Sequence, residues 1–154
     1  MKIKLLFYIV ISSITLYIIS SCSADEIILD KVRYIPQSPD DFQNNWHWGK
    51  SIKAMQEKNE FIFVTGKIDT TSEIPPIEIA FISINRKTIQ LNLIRRTIEN
   101  NQVIEKYSGN GYDLLFICEI KQEADNSHFS KGHLIIKKKK IKSEYEIFGE
   151  QGYY

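Results

Sequence analysis

The chain has 154 residues, and 20 Lys+Arg stand against 19 Asp+Glu for a formal charge of +1. So even a balance gives no long-range pull toward nucleic acid, and no nucleic-acid partner is expected. With cysteine only at Cys22 and Cys118, a disulfide-dense scaffold is not expected either.

The first predicted element is an export signal. Met1-Lys2-Ile3-Lys4 carries two positive charges, an apolar run extends from Leu5 to Ile19, and Ser20-Ser21-Cys22 follows. A basic start, a short apolar stretch and small residues are the three regions of a secretory signal. A spanning helix needs roughly 20 apolar residues. Leu5–Ile19, broken by Ser12, Ser13 and Thr15, lies between that and the roughly 10–14 typical of a signal core, so length alone does not separate a cleaved signal from a retained anchor helix, and Cys22 tips the balance. Ile19-Ser20-Ser21-Cys22 resembles the lipobox of bacterial lipoproteins, with Ile19 where leucine is usual. The resemblance covers only these first residues. It implies cleavage before Cys22 and acylation of the sulfur and the new amino group, giving three chains. At about 0.8 kcal/mol per buried CH₂, more than one chain makes attachment stable. In that class, Ser23 rather than aspartate after the cysteine implies sorting to the outer membrane, facing the periplasm or the cell surface. Residues 1–21 are therefore read as signal, 22–26 as lipidated tether and 27–154 as one β-rich domain. Removing residues 1–21 leaves 133, a single domain's length.

Glu26–Ile35 is a weak strand candidate, followed by a break from Pro36 to Pro39. Ser38-Pro39-Asp40-Asp41 reads as a helix start, with a capping serine, proline at the first helical position and acids at the positive end. Phe42 and Trp46, then Trp48, Ile52 and Met55, share helical spacing, so a helical segment is expected within 39–58. Phe61–Gly66 is apolar on both sides, like a central strand. Beyond the Pro75-Pro76 loop, Ile77–Ile84 and the alternating Thr88–Leu93 read as strands about a turn at Asn85-Arg86-Lys87. Glu99-Asn100-Asn101-Gln102 turns into Val103–Tyr107. Ser108-Gly109-Asn110-Gly111 is a strong turn signal before Tyr112–Lys121. After a polar loop over 122–131, Gly132–Lys138 and Ile141–Phe148 form a last pair. The expected fold is mostly β, an antiparallel sandwich or barrel-like sheet with one short helical segment near 39–58.

Chemistry-bearing candidates are few. Trp46-His47-Trp48 is the densest aromatic group. It reads either as core anchors or as a sugar-stacking platform. Cys118 lies in the apolar run Tyr112–Ile120 and reads as a small core residue, since no local histidine would activate it. His47, His128 and His133 have no metal-ligand spacing. No phosphate-cradling loop or nucleophile motif occurs, so no metal or cofactor is expected. A scattered active site would have to draw on Asp113, Glu119, His128 or His133. Lys137-Lys138-Lys139-Lys140 with Lys142 is the densest charge cluster. It reads either as a polyanion or lipid-headgroup patch or as a solvated hairpin tip or protected edge, and the second is favoured because alternate lysines in a strand face opposite ways unless the chain turns there. The reading that follows is a lipid-anchored envelope protein, held in the membrane through Cys22, that binds an envelope protein or plays a structural part without catalysis. The alternatives are a carbohydrate-binding module using Trp46 and Trp48 and a small hydrolase.

Overall fold

A computed structural model describes residues 26–35, 42–68, 77–120 and 129–150. Cys22 and the rest of the signal and tether up to Asp25 lie outside the described residues. So do the Ser38-Pro39 helix start, the Pro75-Pro76 loop, His128 and Tyr153-Tyr154.

Among the described residues there are nine strands: β1 (Leu29–Asp30), β2 (Phe42–Gly49), β3 (Phe63–Ile68), β4 (Ile77–Ile84), β5 (Lys87–Glu99), β6 (Gln102–Gly109), β7 (Tyr112–Glu119), β8 (Phe129–Lys138) and β9 (Ile141–Glu150), with α1 (Ile52–Lys58) between β2 and β3. Strands β2 to β9 pair in chain order, all antiparallel, and β9 returns to β2, closing an eight-stranded barrel. The expected mostly-β fold with one short helix is what is found. Turn chemistry explains the meander. The links 85–86, 100–101 and 110–111 are two-residue loops with both residues at positive φ, filled by Asn85-Arg86, Asn100-Asn101 and Asn110-Gly111. Such turns match the right-handed twist of the flanking strands, and asparagine and glycine tolerate the left-handed region best. Arg86 is the exception at φ 65°, and its N–H donates to Asp30 Oδ2 at 2.6 Å.

The 39–58 window divides differently from its helical reading. Phe42–Gly49 is a strand, and the helix occupies only Ile52–Lys58. Its cap is Ser51, whose Oγ accepts the Ala54 N–H at 3.1 Å. Aromatic residues suit a pleated surface, and β3 and β9 supply the backbone partners a helix would have supplied itself. Glu26–Ile35 contributes only the two-residue β1, paired to the end of β4.

An eight-stranded barrel is just wide enough for side chains to fill. Trp48, Phe63, Tyr107, Phe116, Leu134 and Ile147 form part of one buried cluster within it. Ile27 and Leu29 join that cluster from the N-terminal segment, and the Tyr145 hydroxyl donates to the Ile27 carbonyl. A second, smaller cluster of Val64, Ile79 and Phe81 lies on the outer face of β3 and β4, covered by Val32 and Ile35. α1 and the turns 85–86, 110–111 and 139–140 share one end of the barrel, the helix end. The turn at 100–101 and the 69–76 and 120–128 connections lie at the other.

Among the described residues the β2–β9 seam has Trp48↔Gly149 and Gly49↔Phe148 in register. Trp48 bridges it. A Cβ on Gly149 would stand 2.5 Å from Trp48 Cδ2, and one on Gly132 of β8 3.2 Å from Trp48 Cζ3. The indole therefore lies across two glycines and meets Phe116 edge-on, with ring centroids 4.7 Å apart.

Candidate functional site

Of the aromatic group, Trp48 is 1% exposed, so it offers no face on which a sugar could stack. His47 points the other way, its ring 4.4 Å from that of Phe61. Trp46 is in register with Thr65, and its side chain lies outside the described set. A coplanar exposed tryptophan pair is therefore not formed, because alternation along β2 sends Trp48 into the barrel.

Among the described residues the polar candidates Asp113, Glu119 and His133 are not brought to one cluster. Asp113 and Glu119 stand at opposite ends of β7, about 20 Å apart at a rise of ~3.3 Å per residue. The Asp113 carboxylate accepts from Ser108 Oγ at 2.8 Å. His133 pairs in register with Ile117 and Glu146. No group of three or more His, Cys, Asp or Glu among the described residues is arranged to hold a metal ion.

Sequence reasoning missed a charged chain inside the barrel, toward the end opposite the helix. Glu105 on β6 is only 1% exposed and lies between Val103 and Tyr107, whose side chains belong to the core. Its carboxylate accepts from Arg96 Nε at 2.7 Å and from the Tyr107 hydroxyl at 2.6 Å. Arg96 reaches on to Glu78 at 2.5 Å, and Glu78 to the half-exposed Lys67 at 3.6 Å. Burial disfavours the Arg96 charge. Hydrogen bonds and attraction from Glu78 and Glu105 outweigh it and raise its pKa. The arrangement satisfies an interior carboxylate and passes charge outward to the rim. It holds Glu78 and Glu105 on the one guanidinium of Arg96.

Cys118 sits beside this chain. Burial, reinforced by the negative charge of Glu105, pushes its thiol up to about 12. It is a packed core thiol, as its apolar setting predicts, and a poor nucleophile. The native protein is expected to resist alkylation at Cys118 and to react fully in denaturant, as mass spectrometry would read. The linkage sign follows from the raised folded value. The folded thiol keeps its proton longer than the unfolded one, so stability is unaffected below the ordinary value of about 9 and falls as pH climbs from there toward about 12. Alkaline melts of Cys118→Ala should lack that share of the loss.

A concavity lies on the outer flank. A groove of about 710 Å³ crosses β5 to β9, with Leu115 and Ile135 in its floor and Lys106, Lys137 and Lys142 around it. Asp113 and Ser108 are also in its wall. Ile94 stands at its edge, 66% exposed. It is placed there by a bulge between Leu93 and Arg95 in the pairing with β6, where an extra residue is turned out of the ladder. Apolar floor, exposed isoleucine and lysine rim are together suited to holding an extended or helical segment that brings apolar and acidic side chains.

No helix among the described residues is long and apolar enough to cross a membrane. Comparisons with protein-family models, curated proteins and solved structures find no match.

Proposed function

We propose that this chain is a lipid-anchored protein of the bacterial envelope, held in the outer membrane by acylated Cys22, and that its barrel is a binding scaffold rather than a catalyst. The anchor reading is supported by the order of charge, apolar run and small residues before Cys22. The binding reading is carried by one observation: Ile94, 66% exposed, borders a lysine-ringed groove of about 710 Å³. Isolated exposed apolar residues are ordinary, whereas one beside an apolar concavity marks an interaction surface. The partner is an envelope protein segment with acidic residues flanking an apolar one, matching the groove's lysines and floor.

Affinity capture of the tagged, acylated protein from its own envelope tests this when run beside Ile94→Asp and Lys106→Glu. A species recovered with the parent and with the exposed control Lys53→Glu, but lost by at least about tenfold with both groove variants, is the expected result. A tenfold loss corresponds to about 1.4 kcal/mol. Retention of every captured species by both variants removes the groove. Intact-mass analysis checks the anchor separately, and an unmodified thiol at Cys22 removes it.

A further inference from the structure

We propose that the helix end of the barrel rests on the bilayer, with the Lys137–Lys142 hairpin and the Arg86-Lys87 turn against anionic phospholipid headgroups. This rests on the anchor reading above and adds an orientation and a lipid chemistry to it.

The chain's direction carries the argument. β1 runs antiparallel to β4, with Leu29 opposite Ile84 and Asp30 opposite Ser83. Going back from Leu29, the chain therefore runs past the end of β4 and out of the helix end. It is fastened there. Asn85 Oδ1 accepts the Ile28 N–H at 3.1 Å, Asn85 N–H donates to the Ile28 carbonyl at 2.9 Å, and Asn85 Nδ2 donates to the Glu26 carbonyl at 3.0 Å. Residues 22 to 26 span at most about 14 Å fully extended. The attachment thus holds this end, and not the opposite one, within about two Debye lengths of the headgroups at physiological salt.

Among the described residues that end is also strongly basic. The chain turns at Lys139-Lys140, with Lys138 opposite Ile141 and Lys137 opposite Lys142. The turn removes the objection that alternate lysines diverge, because the cluster wraps a tip instead of splitting across a sheet. Lys139 and Lys140 are exposed at that tip, and Lys138 lies over the Tyr112 ring, 5.0 Å from its centroid. Lys142 is paired with Glu144. Arg86 and Lys87 are exposed on the neighbouring turn. The acids nearby include Glu26, next to Asp25 in the sequence, Asp30, which accepts the Arg86 N–H, Asp113, held by the Ser108 hydroxyl, and Glu60, paired with Lys31. On α1, Lys53 is paired with Glu57. An overall charge near zero conceals this concentration, which has the scale of the juxtamembrane basic clusters that attract anionic lipid. The groove shares Lys137 and Lys142 with this hairpin and extends from it along the flank to Lys106 and Ile94.

The test is hydrogen exchange on the mature acylated protein in vesicles of phosphatidylcholine alone or with one-third phosphatidylglycerol. Amides of residues 137–142 should exchange at least threefold more slowly with phosphatidylglycerol, and the difference should vanish in 1 M salt. Residues 99–102 at the opposite end should not respond. K139E/K140E, both exposed, should abolish the slowing with no change in melting temperature. Equal exchange in the two vesicle types, with Cys22 shown acylated in the same spectra, overturns the headgroup contact while leaving the anchor standing. An unacylated Cys22 overturns both.

Discussion

Valine in place of Gly149 is expected to prevent stable closure of the barrel. The new Cβ alone would fall 2.5 Å from Trp48 Cδ2 and 2.6 Å from the His47 carbonyl oxygen. Neither the indole nor the backbone is a flexible tip that can swing away. Trp48 is held by Phe116 and the β8 backbone at Gly132, and His47 belongs to the strand being joined. Overpacking typically costs about 1–3 kcal/mol. Here it acts where β9 meets β2 and the barrel closes, so a cost at the upper end, about 3 kcal/mol, is expected, read as a shifted urea midpoint. A double-mutant cycle identifies the cause. Trp48→Ala alone should cost about 3–5 kcal/mol by leaving a cavity. In that background Gly149→Ala should lose about half its own penalty, because the ring is gone and only the His47 carbonyl still crowds the site. Equal penalties in both backgrounds would show that the indole is not what the glycine accommodates.

Removing Arg96 should be comparably severe for an electrostatic reason. Arg96→Met leaves Glu105, 1% exposed, without its bonds from the guanidinium. Breaking a buried pair by removing one member costs about 3–5 kcal/mol, while replacing both members by neutral groups is often far milder. Arg96→Met with Glu105→Gln should therefore recover at least half the loss in thermal or urea melts. Lys67→Met, at the exposed end of the same chain, should change stability by less than about 1 kcal/mol. A double variant no more stable than Arg96→Met alone would contradict this account of the interior charge.

These two sites differ in how far the sequence discloses them. Strands from Phe63 onward follow plain signals: alternation at Thr88–Leu93, apolar runs at Ile77–Ile84 and Tyr112–Ile120, and asparagine-rich two-residue turns between them. The interior placement of Cys118 follows from its neighbours. The second half of the 39–58 window is helical as expected, but Phe42–Gly49 is not, since spacing of four cannot separate a helix from a short aromatic strand whose partners lie far along the chain. The Arg96–Glu105 pair was hidden by the bulge. Leu91 and Leu93 pack inward, so simple alternation sends Arg95 inward and Arg96 out. The extra residue at Ile94 reverses that parity, turning Arg96 toward Glu105. One irregularity thus produces both the interior ion pair and the exposed isoleucine at the groove, and no local pattern announces it.

The seam between β2 and β9 has a consequence for how the molecule comes into being. Trp48 and Gly149 are about a hundred residues apart, a separation that slows folding because the loop between them must be ordered before the contact rewards it. Until β9 arrives, β2 and the last completed strand are open edges, able to pair with any other extended chain. Such a molecule completes itself like a clasp rather than growing outward from a kernel. Shortening it by even the few residues after Ile147 should yield a sticky, ring-opened sheet in place of a slightly smaller barrel.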